Sequence, residues 1–427
     1  MKDLRWLDPD ERLADETREY GSELQLDALQ LISEEYARFD TETRKRHRVE
    51  TNDSLYASDR RIGRFLSERL DEQDGSSARL DHGELSTRLY RAWLARAVGC
   101  TLGKPVEDWP LDATRRFLDL PQNRDLETYL SAADLENTTE FRFAEFNRAG
   151  LRENLRRFPE DDDIDYTIIN LTVAERYGDS ISSDLIIDAW TRMLPISVLC
   201  TAERVAYQNA SLGLVPPETA FVRNPYRQWI GALIRADLWG YINPGLPEKA
   251  AMLAYIDARV SHTGEGVWGA VWVAVLLALI LGGTPLSQAI HDSMAYIEPT
   301  SAVYDTVATV IARQSAGIAI DEVTRDLLEP LKDYSWVHVL PNVAIIALAL
   351  VYHGDDIRGA WYYALHQGLD TDSNCATIGS ILGATGATVP EGFLRIPERA
   401  VTTSIPGHDG ASIEALAART TALIGTK

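Results

Sequence analysis

The sequence predicts an all-α protein, and three observations lead there. Apolar residues recur at helical spacing over long segments, and runs of alternating β-branched residues are scarce. The connections are short and marked by Gly and Pro, as in Asn243-Pro244-Gly245 and Gly282-Gly283-Thr284-Pro285. With 427 residues, 45% hydrophobic and 25% charged, the chain has a globular composition and length enough for a large buried core.

Taken in order, the first 85 residues hold 14 Lys/Arg and 22 Asp/Glu, about 42% charged against about 20% for the remainder. Leu26, Leu29, Ile32 and Tyr36 share one helix face, as do Ile62, Phe65, Leu66 and Leu70. A charged helical N-terminal extension is therefore expected over 1–83, with Gly75-Ser76-Ser77 as its linker to a main domain over 84–427. Glu42 and Glu50 flank the basic run Arg44-Lys45-Arg46-His47-Arg48, which favours a solvated helix face over an anion-binding patch. Beyond residue 84 helical patterns recur at 86–101, 164–177, 198–210, 246–260, 266–281, 286–295, 302–315, 341–352 and 358–366. Val267 to Leu281 is almost wholly apolar but shorter than the roughly 20 residues a bilayer needs. A buried central helix is expected there, and no membrane association.

Charge and cysteine content narrow the function classes. The net charge of −22 argues against general nucleic-acid binding, because phosphate backbones call for a surplus of Lys and Arg. Cys100, Cys200 and Cys375 are too far apart for a disulfide framework or a Cys-rich zinc site, and the N-terminal residues lack the apolar core of a signal peptide. A cytoplasmic setting is expected, with the chain a monomer or weak homo-oligomer.

Two acidic clusters carry the chemistry. The first, Glu160-Asp161-Asp162-Asp163-Ile164-Asp165, leads into the apolar face of Ile168, Leu171 and Val173. Carboxylates suit a helix N-terminus, but five acids in six residues exceed what capping needs and call for a counter-cation or open solvent. The second, Asp370-Thr371-Asp372-Ser373-Asn374, is followed by Gly379, Gly383, Ala384, Gly386 and Ala387, small residues that let helices pack closely. Such oxygen donors suit Mg²⁺, Mn²⁺ or Ca²⁺; an N-cap with an Asx-turn is the plainer alternative. An EF-hand fails, with Tyr166 at the Gly position and Thr172 at the bidentate Glu position. Asp161-Asp162-x-x-Asp165 matches the first motif of terpene synthases, but Arg325 stands where their second motif needs a hydroxyl.

With both clusters in view, the sequence resembles the ADP-ribosylglycohydrolase family over roughly 87–390. The family's Gly-rich helix ending in Glu is similar to Arg96-Ala97-Val98-Gly99-Cys100-Thr101-Leu102-Gly103-Lys104-Pro105-Val106-Glu107. Its hydroxyl-Asp-Asp motif resembles Asp161-Asp162-Asp163, and its Asp-x-Asp-Ser/Thr motif resembles Asp370-Thr371-Asp372-Ser373. Between them, Ile230-Gly231-Ala232-Leu233-Ile234-Arg235 is similar to a Gly-rich substrate strip, and Ser261-His262-Thr263 to a Ser/Thr-His pair. Asn224-Pro225 replaces the Asn-Gly that often precedes that strip, and the first 85 residues have no counterpart in the minimal family domain.

The resemblance implies an orthogonal multi-helix bundle with two Mg²⁺ (Mn²⁺ possible) in a central cleft, hydrolysing the C1″ bond of an ADP-ribosylated protein or a small ribosylated molecule. It implies metal ligands among Asp161, Asp162, Asp163, Asp370, Asp372 and Ser373, and proton work by Glu107, Asp162 or Asp163. Gly231, Ala232, Arg235 and His262 would meet substrate. Read without the family, Arg235 pairs with Asp237 or Glu203, His262 is a buried hydrogen-bonded histidine, and Trp229, Trp239, Tyr241, Trp268 and Trp272 are core. A helical arm from the N-terminal extension is expected to pack on the domain and shape or cover the cleft mouth. A non-catalytic, crystallin-like relative is the alternative within the same fold.

Overall fold

In the computed structural model the described residues are 41–71, 80–133, 135 and 141–424. Their longer helices run in order as α1 (Thr41–Asp71), α2 (His82–Gly103), α3 (Leu111–Leu118), α4 (Asp162–Tyr177) and α5 (Ser183–Met193). Next come α6 (Thr201–Ser211), α7 (Pro247–Ala258), α8 (Gly264–Leu281), α9 (Leu286–Ser293) and α10 (Ala302–Ser315). The series closes with α11 (Ile320–Leu328), α12 (Val339–His353), α13 (Ile357–Gln367), α14 (Thr371–Thr385) and α15 (Ile413–Ile424). Among the described residues there are isolated bridges but no strands. The fold is all-α, as the periodicity predicts.

α8 is the central helix. It is the one described helix long and apolar enough to cross a bilayer, yet 83% of its apolar window is buried inside the protein. α7, α9, α12, α14 and the segment 230–241 surround it, so it has no polar face to show. Each fully buried Val, Leu or Ile on it stabilises the fold by about 1.5–3 kcal/mol relative to exposure.

The closest helix pair is α2 with α14, and glycines make it possible. A Cβ at Gly99 or Gly103 would strike the backbone of Cys375 or Thr371, and one at Gly379 or Gly383 the backbone of Ala95 or Arg91. The two helices thus interlock backbone to backbone, which fixes the N-terminus of α14 against the C-terminus of α2. Thr371 Oγ1 donates to Gly103 O at 2.8 Å across this junction. That places Asp370 and Asp372 beside Glu107, which follows α2 after one 3₁₀ turn, Lys104–Val106.

The described part of the N-terminal extension packs on the main domain, but away from the cleft. Ile62 and Leu66 of α1 are buried, Phe65 meets the Trp268 ring edge-on, and Asp59 binds Arg259 at 2.6 Å. None of the described α1 side chains lines the cleft, so the expected cover over its mouth is not formed by them, and the rest of the extension lies outside the described residues. Leu26, Leu29, Ile32, Tyr36, the Gly75-Ser76-Ser77 linker and the side chains of Arg44–Arg48 lie outside the described residues.

Candidate active site

The N-terminal ends of α4, α6 and α14 converge on one cleft of about 570 Å³. Glu107, Asp162, Asp370, Asp372 and Ser373 line its acidic side. Cys200, Thr201, Glu203 and Arg204 of the α6 start, with Ile230, Gly231 and Ile234, line another. Gln228 O accepts from Val339 N at 3.1 Å and Ile230 N donates to Val337 O at 2.9 Å, which holds Trp229 and Trp336 on a third wall. Trp109, Phe146 and the Arg142–Asn147 segment complete it.

On the acidic side the structure settles how the first cluster is turned. Asp161 is the N-cap of α4: its Oδ1 accepts from Asp163 N at 3.1 Å, and its Oδ2 accepts from Lys104 Nζ. Asp163 points inward, its carboxylate 3.4 Å from Arg96 Nη2 and its Oδ2 accepting from Ser373 Oγ at 3.2 Å. Asp161 and Asp163 are buried, whereas Asp162 is half-buried and faces the cleft. Glu160 is bound by Ser404 and Asp165 is buried away from the lining. The Ser373–Asp163 bond spans 210 residues of sequence and joins the two acidic motifs directly.

Glu107, Asp370 and Asp372 complete the cluster, each offering an oxygen within 4.8 Å of the others. Asp370 and Asp372 are buried and Glu107 half-buried among like charges, and all three resist ionisation. Burial, then Asp372, pushes the Glu107 carboxyl well above the usual range, and burial with Asp372 does the same to Asp370. Asp372 is pushed up to about 6 by burial and by Asp161. Asp108 (φ 61°) and Leu369 (φ 62°) adopt the left-handed region beside Glu107 and Asp370, a strain non-glycine residues tolerate where the surroundings impose it.

Behind the cleft lies a second polar layer. Arg235 is fully buried and binds Glu203 Oε1 at 2.5 Å, Asp257 Oδ1 at 2.9 Å and Ser261 Oγ at 2.9 Å. Asp237 pairs instead with Arg96, at 3.1 Å. Of the sequence-derived substrate residues only Gly231 lines the cleft. Ala232 and Arg235 are buried behind it, and His262 is buried with Nδ1 2.8 Å from Ser261 Oγ. A Cβ at Gly231 would strike the Glu203 carboxylate, so the glycine is what lets that carboxylate reach the wall. Burial lifts Glu203 to about 7 even with Arg235 beside it, and holds His262 far below the usual imidazole range. Trp239, Tyr241, Trp268 and Trp272 are core; Trp229 is buried but lines the cleft.

A sequence model of ADP-ribosylglycohydrolases matches residues 81–426. The chain belongs to the ADP-ribosylglycohydrolase family. A solved ADP-ribosylglycohydrolase-related protein complex is similar with a TM-score of 0.48 and 19% identity, covering 80% of this chain and 98% of that one. An uncharacterized protein of Archaeoglobus fulgidus is 29% identical over 142 residues, 33% of this chain and 44% of that protein. The match thus spans under half the length of that relative.

This ADP-ribosylglycohydrolase chain pairs its first acidic motif with residues 370–372. The terpene-synthase alternative needs 321–329, where Glu322 and Asp326 instead pair with Arg313 at the protein surface. The family is typically metal-dependent, and the donor set fits a hard cation. Lys104 and Arg96 already serve Asp161 and Asp163, while among the described residues Asp162, Glu107, Asp370 and Asp372 face the cleft with no Lys or Arg ion-paired to them. Cys100, Asp161 and Asp163 form a second close group, but burial and Asp161 hold the Cys100 thiol protonated.

Sequence reasoning missed Lys104, Glu203, Arg204, Trp109 and Trp336 as site residues. For Lys104 a signal existed, a lone cation closing the apolar run of α2; the two tryptophans carried none.

Proposed function

We propose that this chain is a binuclear Mg²⁺-dependent hydrolase that cleaves the C1″ bond of an ADP-ribosylated, or related ribosylated, protein or small molecule. One observation carries the reading: the two acidic motifs meet at the Ser373–Asp163 bond, with Glu107 on the cleft beside Asp370 and Asp372. Asp162, Asp163, Asp370 and Asp372 would hold two dications, Mg²⁺ or Mn²⁺, which would supply charge neutralisation, a hold on ribose hydroxyls and a more acidic water.

The chain's own residues supply the rest. Glu107 keeps a proton at neutral pH more readily than an ordinary carboxylate, so its carboxyl is suited to handing one to the acceptor or taking one from water. Asp162 faces the cleft, where a carboxylate stabilises the oxocarbenium-like transition state of glycosyl transfer. Gly231 presents backbone to the substrate, and Trp109, Trp229 and Trp336 give flat apolar surfaces that exclude water.

The purified protein is tested on a panel of ADP-ribosylated proteins, ADP-ribosylated small molecules and simple ribosides, reading released ADP-ribose or ribose. Release in Mg²⁺, loss in EDTA, restoration by Mg²⁺ or Mn²⁺, and at least about a 100-fold loss in Asp372→Ala are expected. A folded protein that binds Mg²⁺ but hydrolyses nothing on the panel would sink the proposal and leave the crystallin-like alternative.

A further inference from the structure

Among the described residues three arginines are fully buried: Arg96, Arg204 and Arg235. Two of them are neutralised. Arg96 faces Asp163 and Asp237, and Arg235 faces Glu203 and Asp257. Arg204 differs. It is 1% exposed and lines the cleft, yet Nε, Nη1 and Nη2 have no hydrogen-bond partner and no carboxylate is paired with it. A buried lysine or histidine relieves such a position by losing its proton. Arginine does not, so the charge stays and calls for an anion.

The backbone points the same way. Arg204 sits in the first turn of α6, an eleven-residue helix whose N-cap, Cys200, does not cap it with its side chain. Cys200 and Thr201 also line the cleft, so the positive end of the helix and its unspent amides border the same space as the guanidinium. Glu203, the nearest acid on the helix, is committed to Arg235. A planar guanidinium beside helix-terminal amides matches the oxygens of a phosphoryl group, which accepts bidentate bonds from the fork and further bonds from the amides.

We propose that Arg204, with the amide end of α6, binds a phosphoryl group of the substrate and so selects phosphate-bearing ribosides over uncharged ones. This rests on the hydrolase reading for what the cleft does, but the anion site is testable without catalysis.

Full-length wild type, Arg204→Gln and Arg204→Lys are titrated calorimetrically with inorganic pyrophosphate and with ADP-ribose, in EDTA so that metal-bridged phosphate does not register. Wild type is expected to bind both, and Arg204→Gln to bind each about 10- to 100-fold more weakly, the range for losing a charged hydrogen-bonding group. Without ligand, Arg204→Gln is expected to melt no lower than wild type, because it removes an unpaired buried charge; a purely structural arginine predicts a lower midpoint and unchanged affinities. If Arg204→Gln does not fold, Arg204→Lys decides, expected several-fold weaker because it keeps the charge but loses the fork. No pyrophosphate binding by wild type, or affinities unchanged in the variants, overturns the proposal. The two readings fail separately. Loss of anion binding in Arg204→Gln with no hydrolysis by wild type sinks the hydrolase and leaves the anion site. Hydrolysis with the same preference for phosphate-bearing over phosphate-free ribosides in wild type and variant does the reverse.

Discussion

Asp372 shows how one carboxyl ties the site to the stability of the molecule. Its folded value of about 6 lies above that of an unfolded aspartate, because burial and Asp161 both oppose its charge. In the metal-free protein the folded state therefore holds more protons than the unfolded state across roughly pH 4 to 6. The associated stability is fully present below that window and is lost as pH rises through it. Asp163, Asp370 and Glu107 are shifted in the same direction. In EDTA the melting midpoint should accordingly be higher at pH 5 than at pH 8, and Asp372→Asn should flatten that slope. Mg²⁺ needs the ionised carboxylates, so the midpoint it adds should grow with pH. A Mg²⁺ increment larger at pH 5 than at pH 8 would contradict this account of the cluster. At this scale the acid residues were legible, because five carboxylates in six positions need compensation whatever the fold. Their partners were legible only in part. The family resemblance put Arg235 on substrate, whereas the residues alone offered Asp237 or Glu203, and the structure pairs it with Glu203 together with Asp257 and Ser261, because a side chain's direction depends on what packs behind it.

Among the elements, α2 and α14 govern whether the site exists. Their glycines let one backbone lie against the other, so a side chain added there displaces main chain, not a flexible tip. Gly103→Val should destabilise the protein by at least about 1–3 kcal/mol, the usual range for overpacking. Because Gly103 touches Thr371 and Asp372, the same change should also weaken Mg²⁺ binding, and urea unfolding with Mg²⁺ calorimetry on one preparation measures both. Unchanged unfolding and unchanged Mg²⁺ affinity would show that the junction is looser than described. The helical patterns at 86–101, 164–177, 266–281 and 341–352 each lie within or close to an observed helix. α14 went unmarked because its short stripe of Cys375, Ile378, Ile381 and Leu382 is interspersed with buried Gly, Ala, Ser and Thr, so polar and apolar faces do not separate in the sequence.

For the whole molecule, the net charge of −22 is partly a local matter. Asp161, Asp162, Asp163, Asp370, Asp372 and Glu107, from three separate stretches of the chain, are gathered around one cleft, and among the described residues Lys104 and Arg96 are the cations ion-paired with them. Family and fold class were legible because several separated motifs occur in order; the polarity of the cleft was not. Its acidic side faces a wall bearing Arg204 and the start of α6, an arrangement that depends on three helix ends meeting in space. The central claim is that the two acidic segments form one bond-cleaving site, and a double-mutant cycle on ADP-ribose release tests it most directly. Asp162→Ala and Asp372→Ala are each expected to cost at least about 100-fold, and the double variant little more than either alone, because residues acting as one unit are not additive. Losses that multiply in the double variant, or no release by the wild type, would contradict it.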